Sequence, residues 1–259
     1  MMHFPAHRTT LLLSVALLLL SGCTGGNAVR KKGAAAYEPR REPTVTNQPR
    51  LEPKADHVAL ARQLIDQGHY DVALVQLEQA RRKADRTTEI DHLMGVCHRE
   101  SGDLTAAVDA FQKAITQDPQ YAPAYGGLGL TLAQKEGIDS SLPYFEHALK
   151  LNPAKADVCN NLGYALLKSG RLAKAERVLR KCIAIDPGFS VARNNLAVCL
   201  GLRGKDDQAL RLLLQTQPPA LALRNLSAIV RRRGDAVKAD KLMERAREAE
   251  THIPLSGTR

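Results

Sequence analysis

Three dipeptides set the frame of this chain. Asp118-Pro119, Asn152-Pro153 and Asp186-Pro187 lie 34 residues apart. Each follows an amphipathic helical pattern and stops it, because proline disfavours helix at the residue before it. A fixed period of this length marks a repeat architecture, in which no unit buries its apolar face alone and only stacking makes a core. The frame divides the chain into 54–87, 88–121, 122–155, 156–189, 190–219 and 220–251, with a tail over 252–259.

Side-chain size recurs inside that frame. Position 7 is large: Leu60, Met94, Leu128, Leu162, Leu196 and Leu226. Position 8 is small: Ala61, Gly95, Gly129, Gly163, Ala197 and Ser227. Position 20 is small again, and position 24 is bulky, with Leu77, Phe111, Phe145, Leu179, Leu213 and Met243. Position 27 returns to small residues, Cys182 and Thr216 among them. Gly68, Gly102, Gly170, Gly204 and Gly234 stand at position 15, where a left-handed residue ends the first helix. Repeat three has Gly137 one place late, and repeat five is four residues short, so Gln217-Pro218-Pro219 is expected to trim its second helix by one turn. Small residues at 8 and 20 let two antiparallel helices approach, and large ones at 7 and 24 fill the layer between repeats. The pattern resembles tetratricopeptide repeats (TPRs), and it predicts an all-α chain. Its twelve helices are expected to form an α-solenoid, a right-handed superhelix with a concave groove.

Composition agrees. Hydrophobic residues make up 44% of the 259, but aromatics only 4%, with no Trp. The apolar mass is Ala and Leu, which favour helix over strand. A multispan membrane protein is excluded, because the one long apolar run, Leu11–Leu20, is half the ~20 residues a bilayer needs.

That run belongs to a leader. Residues 1–22 combine Arg8, the apolar stretch and small Ser21-Gly22, the parts of an export signal. Leu20-Ser21-Gly22-Cys23 resembles the lipobox of bacterial lipoproteins. The resemblance implies cleavage before Cys23, diacylglycerol on its thiol and an acyl chain on its new amino terminus; no other cofactor is expected. Thr24 in place of Asp implies, by the same resemblance, the periplasmic face of the outer membrane. Residues 23–53 hold scattered Gly and Pro and no apolar period, and read as a flexible tether. Its run Arg30-Lys31-Lys32 faces acidic headgroups if it touches anything.

No P-loop, dinucleotide fingerprint, HExxH, GxSxG or CxxC occurs, so no catalytic residue is assigned and the chain is not read as an enzyme. His92, Cys97 and His98 share no helical face well, and no metal site is assigned. Cys97, Cys159, Cys182 and Cys199 fall within helices as small core residues. Export would allow a disulfide, with Cys182 and Cys199 the best-placed pair. Groove candidates come from the first helices: Asn160, Asn161, Tyr164 and Lys168 in repeat four, Asn194, Asn195 and Val198 in repeat five, Arg224 and Asn225 in repeat six. A row of amides can hold the backbone of an extended peptide, and it can equally join helix to helix. Position 2 carries no cation in Glu89, Pro123, Asp157, Val191 and Leu221, so the carboxylate clamp of chaperone-binding TPRs is missing. Arg231-Arg232-Arg233 is the densest charge, read as a solvated helix end. Nucleic acid is not an expected partner, since few aromatics are present to stack on bases.

The stretches Asn160-Asn161-Leu162-Gly163-Tyr164-Ala165-Leu166 and Arg193-Asn194-Asn195-Leu196-Ala197-Val198-Cys199-Leu200-Gly201-Leu202 are similar to those of a particular group. They resemble the TPR lipoproteins of tight-adherence (Tad/Flp) pilus systems, the TadD type. Repeat six departs, with Ser227-Ala228-Ile229-Val230 and three Arg. The resemblance implies a non-enzymatic scaffold that helps assemble or localise an outer-membrane secretin. A type IV pilus pilotin-like lipoprotein, or a scaffold for a peptidoglycan- or glycan-export enzyme, has the same parts.

Overall fold

A computed structural model describes residues 56–83 and 87–251. The expected leader, Cys23, the tether and the tail 252–259 lie outside the described residues.

Six helix pairs follow one another: α1 His57–Asp66 with α2 Tyr70–Arg81, α3 Thr87–Glu100 with α4 Leu104–Gln117, α5 Ala122–Lys135 with α6 Leu142–Leu151, α7 Ala156–Lys168 with α8 Leu172–Ile185, α9 Ser190–Leu202 with α10 Asp206–Leu214, and α11 Pro219–Arg232 with α12 Ala236–Thr251. No strand occurs among the described residues. Each first helix packs on its own second helix and each second helix on the following first helix; first helices of neighbouring repeats also pack on each other, except α5 and α7, which both pack on the 3-10 turn Ile138–Ser141. That is the pattern of an α-solenoid.

Local chemistry sets the ends. Asp56, Asp103 and Asp235 cap α1, α4 and α12 by accepting backbone N–H groups at 3.0–3.1 Å. Gly68 has φ +79°, and the His69 and Gly68 amides donate back to Leu64 O at 2.8 Å and Ile65 O at 3.0 Å. This closes α1 with a left-handed glycine. In repeat three, Gly137 carries the positive φ one residue late, and a 3-10 turn over Ile138–Ser141 takes up the slack before α6. Asp118, Asn152 and Asp186, each before a proline, take extended or near-extended φ and end α4, α6 and α8.

The size rows meet as the sequence pattern requires. A Cβ built on Gly95 would stand 2.8 Å from Phe111, one on Gly129 2.8 Å from Phe145, and one on Gly163 2.6 Å from Leu179 Cγ. Position 8 is small because the position 24 side chain of its own repeat lies against it. Position 7 is buried from Met94 to Leu226, at 2–8% exposure, but Leu60 is 42% exposed, with no earlier repeat among the described residues to cover it. At the other end Leu242, not Met243, takes the inward place of position 24. The α10 helix has nine residues against 14 in α4 and α8, the shortening expected from Gln217-Pro218-Pro219.

The cysteine pairing differs from expectation. Cys182 is bonded to Cys159, not to Cys199. Positions 4 and 27 of one repeat face each other across its helix pair, with Cα atoms 5.6 Å apart. Cys199 is instead turned onto the Leu172 carbonyl, its Sγ donating at 3.2 Å, and stays free and buried, as does Cys97.

Candidate protein-binding face

First helices lie side by side within repeats one to three and within repeats four to six, so equivalent positions form rows across them, and the 3-10 turn Ile138–Ser141 packs on both α5 and α7 where the two sets meet. Position 9 gives Val96, Leu130, Tyr164 and Val198, all half-buried, in four consecutive repeats. In α7, Asn161, Tyr164 and Lys168 follow one another at spacings of three and four and so share one stripe. Asn161 and Tyr164 are half-buried and Lys168 is exposed. None of the three forms a side-chain hydrogen bond with another described residue. Toward the first repeat the same side is polar, with Arg62 paired to Glu89.

The remaining groove candidates hold one another. Asn195 Nδ2 donates to Asn160 Oδ1 at 2.9 Å, a buried amide pair joining α9 to α7. Asn194 Oδ1 accepts from Thr216 Oγ1 at 3.0 Å, and Asn225 Nδ2 donates to Gln217 Oε1 at 2.7 Å. These two bonds fasten the residues that follow the shortened α10. Arg224 is paired with Glu250 across the last helix pair. The amides bond internally: helix to helix at Asn160 and Asn195, and to the turn after α10 at Asn194 and Asn225.

Beneath this face lie ionic supports that the sequence pattern did not single out. Glu176 on α8, 7% exposed, accepts from Lys205 at 3.0 and 3.1 Å, from Arg180 at 2.9 and 3.1 Å, and from Arg203. Burial pushes its carboxyl up, but the bonds from Lys205 and Arg180 and the charge of Arg203 outweigh that and hold it below the usual range. Asp206, 5% exposed, sits between Arg233 at 2.6 and 3.1 Å and Lys238 at 2.5 Å. The Arg233 hydrogen bonds hold its carboxyl low against the opposing effect of burial. Arg233 also donates to Gly201 O at 2.5 Å. In the first repeats Asp91, 3% exposed, takes Arg81 and, at 2.7 Å, Gln117. The legible signal was a cation at position 14 in two successive repeats, Arg203 and Arg233, each reaching an acid of the repeat before. The triple-Arg run therefore divides, with Arg233 bound inward and Arg231 paired with Asp240.

His92, half-buried, lies between Phe111 and Tyr121, with ring centroids 5.7 and 5.5 Å away. Burial, with the charges of Arg99 and Arg62, lowers its pKa to about 4. Burial raises the Cys97 thiol to about 11 and the Cys199 thiol as well, so both are protonated and unreactive at neutral pH. Among the described residues no group of three His, Cys, Asp or Glu is placed to hold a metal ion, and no helix is long and apolar enough to cross a membrane.

Residues 58–122, 127–188 and 166–229 match the tetratricopeptide repeat family. The TPR repeat-containing protein PA4299 of Pseudomonas aeruginosa is 27% identical over 233 residues, which span 86% of this chain and 92% of that protein. Protein FlbA of Caulobacter vibrioides is 25% identical over 146 residues, 56% of this chain but 24% of FlbA. For FlbA and three other curated relatives, the chain spans only 17–45% of their length. Among solved structures, the Thermus thermophilus TPR protein TTC0263 superposes with a TM-score of 0.53 at 21% identity, covering 76% of this chain and 98% of that one. That likeness concerns the fold.

Proposed function

This chain belongs to the tetratricopeptide-repeat family, and from that premise we propose that it is a lipid-anchored, non-enzymatic scaffold of pilus biogenesis. TPR arrays are suited to binding protein partners and in general catalyse nothing. In the proposal Cys23 carries diacylglycerol and an acyl chain and fixes the protein to the periplasmic face of the outer membrane. The array then holds an extended or helical segment of a secretin, or of another component of a Tad/Flp pilus.

The observation that carries the binding side is the stripe Asn161, Tyr164 and Lys168 with Val198 beside it. These side chains make no hydrogen bond to the described residues, while the neighbouring amides are all engaged. Apolar area at position 9 supplies the contact, and Asn161 supplies a donor and an acceptor for a peptide backbone. The Cys159–Cys182 disulfide supports an exported chain, because such bonds persist in oxidising compartments. The lipobox resemblance and the stretches shared with TadD-type lipoproteins supply the rest.

Co-purification from detergent-solubilised membranes tests the reading. Asn161→Ala with Tyr164→Ala and Val198→Ser should abolish recovery of the secretin while leaving the helical signal intact. Asn195 is left alone, because its loss would orphan buried Asn160. Cys23→Ser should move the protein from the membrane to the soluble fraction. A triple variant that still recovers the secretin would place the binding face elsewhere, and a Cys23→Ser protein that stays in the membrane would remove the anchor.

A further inference from the structure

Charge is divided unevenly along the array. Residues 56–150 hold 9 Lys and Arg against 14 Asp and Glu, and residues 151–251 hold 19 against 10. Part of that excess is spent internally, on Glu176 and Asp206. The rest is not. Position 22 of the second helices reads Arg177, Arg211 and Lys241 in repeats four to six, all exposed and none in an ion pair among the described residues. In the first three repeats the same position is Val75, Asp109 and Pro143. Lys174 and Lys181 flank Arg177 on α8 at spacings of three and four, which puts them on its face. The only acid of α8, Glu176, is buried and already bonded to cations. On α8, α10 and α12 the exposed acids that lack a partner among the described residues come down to Asp207 and Glu244. The α8 and α10 faces are neighbours, joined by Arg180 Nη2 donating to Gln208 Oε1 at 3.3 Å.

Two exposed apolar side chains sit beside this row. Leu214, three residues after Arg211, is 44% exposed, and Val237, four before Lys241, is 68% exposed.

We propose that the outer face of the second helices of repeats four to six docks on an anionic lipid surface. Cations on long, unfixed stems suit a fluid sheet of headgroups, which adjusts to them. A folded acidic partner needs donors held in place, and nothing fixes these. Leu214 and Val237 would enter the headgroup layer between the charges, the arrangement of an interfacial helix. The contact is separate from the proposed anchor and from the first-helix face. With the anchor it makes the second signal that stable membrane residence takes, and it would lay the array along the bilayer with its first helices turned away, toward a partner.

The test is vesicle co-sedimentation of the full chain. Neutral phosphatidylcholine vesicles are compared with vesicles containing about one-third phosphatidylglycerol, so binding through acyl chains on Cys23 appears in both. Each cation held near a charged surface multiplies partition about fivefold. Arg177→Ala, Arg211→Ala and Lys241→Ala together should therefore lower the anionic-to-neutral ratio by about tenfold or more, with no change in melting. High salt should do the same to the unmodified chain. An unchanged ratio in the triple variant would assign the preference to the basic run before residue 54 and overturn the proposal. So would equal binding to both vesicles, or a triple variant that loses poly-glutamate binding but keeps its vesicle preference, which would mean an acidic protein partner. Loss of binding to neutral vesicles on Cys23→Ser, with the anionic preference kept, would speak to the anchor alone.

Discussion

Two adjacent glycines in α5 should respond in opposite directions to the same change. Gly126 and Gly127 are both buried and both helical, so each gains about 1 kcal/mol of helix propensity on substitution by Ala. Their surroundings differ. A Cβ on Gly126 meets only Val158 Cγ2 at 3.6 Å, an ordinary contact. A Cβ on Gly127 would fall 2.5 Å from Cζ and 2.9 Å from Cδ1 of Phe111. That ring is fully buried and lies equally close to Gly95, where an added Cβ would also stand at 2.8 Å, so both helices confine it. Overpacking of this kind costs about 3 kcal/mol, leaving Gly127→Ala about 2 kcal/mol less stable. For an array of this size 1 kcal/mol moves the melting midpoint by about 2–4 °C. Thermal unfolding followed by circular dichroism should show Gly126→Ala up by about 2–4 °C and Gly127→Ala down by about 4–8 °C. A cycle adds a check: in a Phe111→Leu background, Gly127→Ala should lose most of its penalty, because the two residues touch. If both alanines stabilise equally, the close approach of α4 and α5 is wrong, and the reason given for small residues opposite position 24 goes with it.

Ala175→Phe at the contact of α7 and α8, where Ala175 is fully buried, should cost about 3 kcal/mol or more in urea titration. Thiol titration of the denatured, unreduced Cys23→Ser chain should find two thiols, Cys97 and Cys199, rising to four on reduction; reactive Cys159 or Cys182 before reduction would exclude the pairing. Glu176→Gln should destabilise by about 3 kcal/mol at pH 7, since it leaves three cations around a neutral amide. The folded carboxyl titrates below its ordinary value, so the stability it brings is complete above the unfolded carboxylate range and fades as pH falls through the folded pKa; the gap between variant and parent should close there. His92 stays neutral in the fold down to about pH 4, whereas the unfolded chain takes up its proton near 6.5, so stability should fall as pH drops from 6.5 toward 4. His92→Leu should flatten that limb, and an imidazole that titrates by NMR near 6.5 in the folded protein would refute the placement.

What the sequence shows and what it hides follow from how many residues an interaction needs. The helix pairs were legible because, at fixed positions, proline recurs three times, glycine five times and side-chain size six times. Each recurrence is an independent statement of the same contact, so one exception, such as Gly137, does not hide it. Leu60 and Met243 departed for the opposite reason. Position 7 and position 24 predict burial only where a neighbouring repeat supplies the other wall, and among the described residues the first and last repeats each lack one. Cys182 was paired with the wrong partner because sequence places both Cys159 and Cys199 on helices next to α8. Only the rotation of each helix about its axis decides between them, and it turns Cys159 inward and Cys199 toward the Leu172 carbonyl.

The groove residues show a harder limit. An Asn at position 6 looks the same in sequence whether it faces a ligand or a neighbouring helix, since either use needs a half-buried amide. The position 5 residue of the preceding repeat decides it. Asn160 offers an acceptor to Asn195, and the pair closes on itself. Gly127 stands before Asn161 at position 6 of repeat three, and Gly126 at position 5, so Asn161 meets no amide there. Amide partnering therefore propagates from repeat four to repeat five and stops at the glycines of repeat three. Gly126 has no side chain to offer and no close neighbour that demands a glycine, since a Cβ there meets only Val158 at 3.6 Å, so the open amide of the row is set by the missing side chain at position 5 and not by the packing that Gly127 serves.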